Sequence, residues 1–261
     1  MAFALGPRAA AAGYRIASFD TVGSTNAEAV ARARADDDGP LWVVASRQTE
    51  GRGRRGRIWS TQEGNLAASL LMRPHVTPAG AATLGFVAAL ALDEALRACA
   101  PGLELSLKWP NDVLVGGAKL AGILLESERA PGALRVVIGI GVNIASAPGD
   151  TAFPSTSLAA LGRKVRPQDL FAALSDAWID LIDQWHRTGM ARIRPLWLAK
   201  AAGIGRPVSI ALDESRVVEG VFETLDESGY MIVRQADGGS TAISAGDVHF
   251  GSARTSGVEA R

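Results

Sequence analysis

Gly51-Arg52-Gly53-Arg54-Arg55-Gly56-Arg57 decides the fold, because its glycines admit one common reading that the neighbouring residues refuse. Gly51, Gly53 and Gly56 satisfy the dinucleotide fingerprint G-x-G-x-x-G. That fingerprint needs a strand before it and a helix opening out of it. Residues 41–45 are strand-like, but Ile58, Trp59, Ser60, Thr61, Gln62, Glu63 and Gly64 carry no apolar helical period. The Rossmann reading fails on this context. What remains is four fixed positive charges on a backbone whose glycines reach conformations closed to other residues, a loop suited to wrapping an anion.

Composition keeps that anion site local. The chain has 261 residues, 48% hydrophobic and 21% charged, enough for one main domain with a small appendage. Lys plus Arg equal Asp plus Glu at 27 each, which argues against a surface given over to nucleic acid or anionic lipid. Cys99 alone cannot build a disulfide framework, and the scattered His75, His186 and His249 do not make zinc spacings. A reducing cytoplasm is the expected compartment. Residues 1–13 are alanine-rich but lack the order of a secretory signal, so a flexible lead-in is expected. The uncharged stretch 76–92 contains Pro78 and falls short of the ~20 apolar residues that span a bilayer, which predicts a buried helix.

Local patterns predict the elements. Residues 14–19 form a strand, and Thr25 with Glu28 forms a capping box opening a helix to about Ala35. Strands follow over 41–45 and 66–72, then an alanine-leucine helix ending near Cys99. Strands over 103–108 and 113–115 precede Gly116-Gly117, the signal for a tight hairpin into 120–126. Another strand covers 134–139, and Pro167 starts a long helix with Trp178, Leu181, Ile182 and Trp185 on one face. Beyond 203–205 come five short strands separated by Asp, Glu, Ser and Gly, the pattern of a small β-barrel. The tail over 252–261 is polar and expected to fray.

A second segment, Lys108-Trp109-Pro110-Asn111-Asp112, is followed across the hairpin by Lys119-Leu120-Ala121-Gly122-Ile123. With the arginine loop, Ser24-Thr25-Asn26, Gln48 and Gly139-Ile140-Gly141-Val142-Asn143, these residues resemble the catalytic core of biotin protein ligases. The likeness covers nearly the whole chain, and the ordered set is more specific than any one motif. It implies an α+β fold: a mixed, largely antiparallel sheet flanked by helices, akin to class II synthetases, with a small C-terminal SH3-like β-barrel. The implied division is a ligase domain over 14–203 and a barrel over 204–251.

The resemblance also implies a two-step reaction. The biotin carboxylate attacks the α-phosphate of ATP, and the biotinyl-5′-adenylate then acylates a lysine of the biotin carboxyl carrier protein of acetyl-CoA carboxylase or a related enzyme. Bringing two anions together costs roughly 4 kcal/mol per unit-charge pair at ~4 Å and an effective dielectric near 20. Arg52, Arg54, Arg55, Arg57, Lys108 and Lys119 are the cations available, with Mg²⁺ expected on the pyrophosphate. By resemblance, Lys119 lies between carboxylate and phosphate, Arg54 retains the adenylate, and Asp112 orients the cations or the metal. Biotin is assigned to Ser24, Thr25, Asn26, Gln48, Arg52, Gly53, Arg54, Lys119 and Gly122. The nucleotide is assigned to Gly51, Arg54, Arg55, Gly56, Arg57, Trp59, Lys108, Asn111, Asp112 and Asn143, with Trp59 covering the adenine or the closed loop.

Taken singly, each motif has a plainer reading. An arginine-glycine run is more often a solvated loop or a nucleic-acid contact, Lys119 an exposed hairpin lysine, and Thr25 with Glu28 only a helix cap. An RNA-binding module is the alternative from another class, and a lipoate-protein ligase is the nearest relative by chemistry. A kinase is excluded because neither His-Arg-Asp nor Asp-Phe-Gly occurs. Neither DNA nor a membrane is an expected partner, and a homodimer paired along a sheet edge stays open beside carrier docking.

Overall fold

The computed structural model describes residues 2–251, apart from 60, 131–132, 150–152 and 214. The chain begins with α1 (Pro7–Ala11), β1 (Arg15–Val22), α2 (Thr25–Arg34), β2 (Leu41–Gln48) and β3 (Leu66–Met72). There follow α3 (Pro78–Ala82), α4 (Leu84–Cys99), β4 (Leu105–Lys108), β5 (Asp112–Val115), β6 (Ala118–Ala130) and β7 (Ala133–Val142). Helices α5 (Pro167–Thr188) and α6 (Met190–Leu198) lead to β8 (Pro207–Ala211), β9 (Val217–Leu225), β10 (Met231–Arg234), β11 (Ser240–Ile243) and β12 (Asp247–Phe250).

The first seven strands form one sheet in the order β1-β2-β3-β7-β6-β5-β4. Only β1 and β2 run parallel, because α2 carries the chain across between them, and each later neighbour is antiparallel. This is the mixed, largely antiparallel sheet that the family resemblance implies. The alternation of side chains sorts its two faces. Trp42, Val44, Leu66, Ala68, Leu70, Ile138 and Ile140 belong to the main core with α4 and α5. Leu41, Val43, Leu71 and Val137 face the other way and pack against Ala29 and Ala33 of α2. Small residues one turn apart let that helix lie close to the sheet. Strand β3 is therefore buried on both faces, as its apolar run, interrupted only by Ser69, requires.

The apolar stretch Pro78–Cys99 is long and apolar enough to cross a membrane, yet 78% of its most apolar window is buried inside the protein. It is the core helix expected from the sequence, extended beyond the 76–92 stretch. Trp178, Leu181, Ile182 and Trp185 all turn inward from α5. The outer edge of β4 is covered, since Leu107 N–H donates to the Lys200 carbonyl and Ala202 N–H to the Leu107 carbonyl, each at 2.8 Å.

Three expectations need correction. Ahead of Tyr14 the chain is a helix docked on α5: Phe3 and Ala9 are buried, and Asp176 Oδ1 accepts the amides of Arg8 and Ala9 at 2.9 and 3.0 Å. Those partners lie some 170 residues away, beyond the reach of local composition. The cap of α2 is Ser24, whose Oγ accepts from Ala27 N–H at 3.4 Å, while Glu28 turns to Arg32. The C-terminal strands make an antiparallel sheet in the order β11-β10-β9-β8-β12, and among the described residues it does not close into a barrel. Its end strands are four residues each, and they lie at opposite edges without pairing. The expected frayed tail over 252–261 falls outside the described residues.

Candidate functional site

Past the N-terminus of α2 the sheet face it covers lies open. Val137 on β7 still packs beneath the helix, but Gly139 and Gly141, next on that face, present no side chain. Gly122 of β6 lies directly opposite Gly141. The result is a glycine floor beneath a cleft of about 530 Å³. A Cβ on Gly139 would fall 2.1 Å from Asn26 Oδ1, and one on Gly141 2.3 Å from Trp59 Nε1. Glycine at 139 and 141 is a requirement of close approach.

One end of the cleft is neutral and hydrogen-bonded. Gln48 Oε1, at the end of β2, accepts from the amide and hydroxyl of Thr25 at 2.8 and 3.0 Å, and its Nε2 donates to Thr61 Oγ1 at 2.9 Å. Asn26 donates to Glu126 Oε2 at 2.7 Å, and its Oδ1 lies 2.6 Å from the Ser69 hydroxyl. Ser24, Thr25 and Asn26 are all buried.

The other end is cationic. Lys119 Nζ lies 2.6 Å from Asp112 Oδ1, across the β5–β6 hairpin, and 5.4 Å from the Trp59 ring. The Lys119 backbone is fixed by Pro154 and Thr156, through bonds of 2.8 and 2.9 Å. Lys108 is buried at the end of β4, with Nζ 3.9 Å from the Phe153 ring centroid and 5.5 Å from that of Phe250. Arg54 Nη1 donates to Asn111 Oδ1 at 3.2 Å, and Asn111 Nδ2 in turn donates to the Ile123 carbonyl at 2.8 Å. Burial holds Arg54 below its ordinary pKa, opposed chiefly by Asp247. Burial likewise lowers Lys108, with Asp112 the largest influence the other way.

The glycine-arginine loop closes on itself above this end. Gly53 N–H donates to the Arg57 carbonyl at 2.7 Å and Trp59 N–H to the Gly51 carbonyl at 2.9 Å. Gly51 must be glycine, since a Cβ there would meet the Trp59 carbonyl at 2.2 Å. Ile58, at 89% exposure, points outward. Arg52, Gly53, Arg57 and Trp59 line the cleft.

The structure thus brings Ser24, Thr25, Asn26, Gln48, Arg52, Gly53, Arg54, Arg57, Trp59, Lys108, Asn111, Asp112, Lys119, Gly122 and Asn143 to one cavity. Gly51 stands behind the wall, against Gln48. Gly56 serves the loop's turn at a φ of 71°, and Arg55, itself outside the lining, pairs with Asp247 at the edge of the cleft. Asn143 is buried and donates to the Thr156 carbonyl at 3.1 Å. Sequence reasoning passed over Ser69, Thr61, Glu126, Phe153 and Asp247. Ser69 alone left a signal, as the single polar residue in the apolar run of β3. Among the described residues no three His, Cys, Asp or Glu side chains gather as a metal site.

The chain matches the Biotin/lipoate A/B protein ligase family over residues 21–143 and the Biotin protein ligase C terminal domain over residues 203–251. It is 44% identical over 236 residues to a biotin–[acetyl-CoA-carboxylase] ligase of Paracoccus denitrificans, a match spanning 87% of this chain and 97% of that one. Among solved structures it is similar to the Aquifex aeolicus biotin protein ligase in complex with biotin and ATP. That likeness has a TM-score of 0.77 at 25% identity, over 90% of this chain and 98% of the other. The Leishmania major biotin protein ligase in complex with biotinyl-5-AMP is similar with a TM-score of 0.61 at 26% identity, over 88% and 99% of the two chains.

Proposed function

Because the chain belongs to the biotin/lipoate protein ligase family, we propose that it activates biotin with ATP to biotinyl-5′-adenylate and passes the biotinyl group to a carrier-protein lysine of acetyl-CoA carboxylase. The observation that carries this reading is the single cleft with a neutral hydrogen-bonding end and a cationic end. A ureido ring has two N–H donors and one carbonyl, and leaving any of them buried without a partner costs about 1–3 kcal/mol. Ser24, Thr25 and Gln48 supply neutral partners there. Asn26, committed to Glu126 and Ser69, holds the start of α2 in place beside them.

In the first step a biotin carboxylate oxygen bonds to the α-phosphorus and the bond to pyrophosphate breaks. Lys119 neutralises the approach of the two anions, and Asp112 orients Lys119. Arg54, held by Asn111, binds the α-phosphate, and Lys108 faces the outer phosphates. In the second step the carrier's neutral lysine amine attacks the acyl carbon, the acyl–oxygen bond to phosphate breaks to release AMP, the nitrogen gives up one proton to solvent, and an amide remains. Trp59 covers the adenylate and keeps water from it.

Mg²⁺ enters this scheme with the ATP phosphates, not as a resident ion. A Mg²⁺ held chiefly by the ATP phosphates would need only one or two carboxylates from the protein, and Asp112, beside Lys119 in the cleft lining, is the residue that would supply one; no step is assigned to it.

The test is pyrophosphate release from ATP and Mg²⁺ with biotin, with lipoate and with neither acid, each with and without a biotin carrier domain. Biotin-dependent release with a mass gain on the carrier is expected. Release with lipoate alone would move the substrate to lipoate, and no release with either acid would remove the ligase reading.

A further inference from the structure

One carboxylate faces the glycine-arginine loop from the C-terminal sheet and has no part in the reaction described above. Asp247 opens β12 opposite Ala211 of β8, with its side chain 17% exposed. Its Oδ2 accepts from Nη1 of Arg55 at 3.1 Å and also from Nη2 of Arg57. Arg55 Nη2 donates to the Leu212 carbonyl, just past the end of β8, at 2.6 Å. Arg55 reaches these partners from a φ of 55°, a left-handed backbone conformation that non-glycine residues enter only when something holds them there. Three charge-assisted bonds therefore join the outer half of the loop to the second sheet.

We propose that Asp247 is a positioning residue that latches the loop to the C-terminal sheet and so sets Arg54 and Arg57 over the nucleotide end of the cleft. The proposal rests on the ATP reading above. It also divides the loop's four arginines. Arg55 is an anchor with both Nη nitrogens bonded to the C-terminal sheet, Arg57 joins the latch while lining the cleft, and Arg52 and Arg54 face the ligands. Arg54 has Asp247 as its largest stabilising charge without touching it, so the latch acts on the site through field as well as through geometry.

The test uses the full chain and four proteins: wild type, Asp247→Asn, Asp247→Glu and Arg55→Gln. Trypsin cuts after arginine, so mass spectrometry of early digests reads the exposure of residues 52–57 directly, without any ligand. Loop cleavage should be about tenfold faster in Asp247→Asn and Arg55→Gln and near the wild-type rate in Asp247→Glu. The ATP KM should rise about tenfold in the two latch-broken variants, while biotin affinity measured without ATP stays within about twofold. Wild-type loop cleavage in both latch-broken variants overturns the proposal, whatever the KM does. A raised ATP KM in Arg55→Gln with unchanged cleavage would make Arg55 a phosphate ligand and also overturns it. If Asp247→Asn is cut throughout the chain, Arg55→Gln decides alone. Failure of the wild type to release pyrophosphate would sink the ATP reading, and the ligand-free cleavage rates would still judge the latch.

Discussion

Lys119 and Lys108 are two lysines of one cleft with different surroundings. Lys119 is balanced by Asp112 at 2.6 Å and is partly open to solvent. Removing it takes away the cation assigned to the meeting of carboxylate and phosphate. Lys119→Ala is expected to lower pyrophosphate release by about 100-fold or more with an unchanged melting temperature; activity within about tenfold of wild type, ~1.4 kcal/mol in barrier, refutes the role. Lys108 is instead buried against Phe153 and Phe250, and that burial lowers its pKa from the ordinary 10.5. Between the lowered value and 10.5 the folded chain has released a proton that the unfolded chain keeps. In that window rising pH relieves the cost of burying the charge, so Lys108's contribution to stability improves. ATP affinity moves the opposite way, because the phosphates lose a cation. An alkaline rise in ATP KM is expected, and Lys108→Arg should move it to higher pH, since arginine stays charged. A KM profile identical in the two proteins would assign the rise to another group.

At the scale of elements, the cleft exists because one strand changes its side chains halfway along. On β7, Val137 supports α2, while Gly139 and Gly141 leave space at its end. Gly139→Ala places a methyl 2.1 Å from Asn26 Oδ1, and this neighbour is held by Ser69 and Glu126. Overpacking of this kind costs about 1–3 kcal/mol. Urea unfolding should show that loss, and biotin titration should show weaker binding as the start of α2 is displaced. Unaltered values for both would mean that the helix end yields freely. The same element logic explains the helix cap: with Ser24 as cap, Thr25 is free to bond Gln48, so the cap and the ligand end of the cleft are built by adjacent residues.

At the scale of the molecule, the two sheets share one core. Phe222, Leu225, Met231 and Val248 of the C-terminal strands belong to the same buried cluster as Phe86, Trp109 and Trp197. Trp109 Nε1 donates to the Gly229 carbonyl at 3.0 Å, and Arg194 Nε to the Leu225 carbonyl at 2.6 Å. A shared core predicts one cooperative transition. Far-ultraviolet and near-ultraviolet signals should therefore unfold together, and two separated midpoints would show independent domains. Trp109→Phe leaves the Gly229 carbonyl without its donor, at a cost of about 1–3 kcal/mol, on top of the packing lost with the larger ring. A midpoint equal to wild type would show that this bond does not couple the sheets.

The sequence by itself determined most of the elements, though neither α1 nor α6, and, through the resemblance, the chemical parts list. Apolar runs of strand length, the alanine-leucine helix, the inward face of α5 and the hairpin at Gly116-Gly117 are local patterns, carried by side-chain periodicity and glycine backbone freedom. The cations and neutral hydrogen-bonding residues were named through the family resemblance that the short ordered motifs carry, not through any period in the chain. Tertiary structure alone decided what those motifs touch. Asp247 lies 190 residues from Arg57, Phe153 joins Lys108 from a loop without regular structure, and α1 finds its partners on α5. Long-range contacts of this kind depend on how the two sheets pack, and no local period in the chain encodes them. The open C-terminal sheet has the same cause: strand count and spacing are local, while closure depends on whether two edges meet in space.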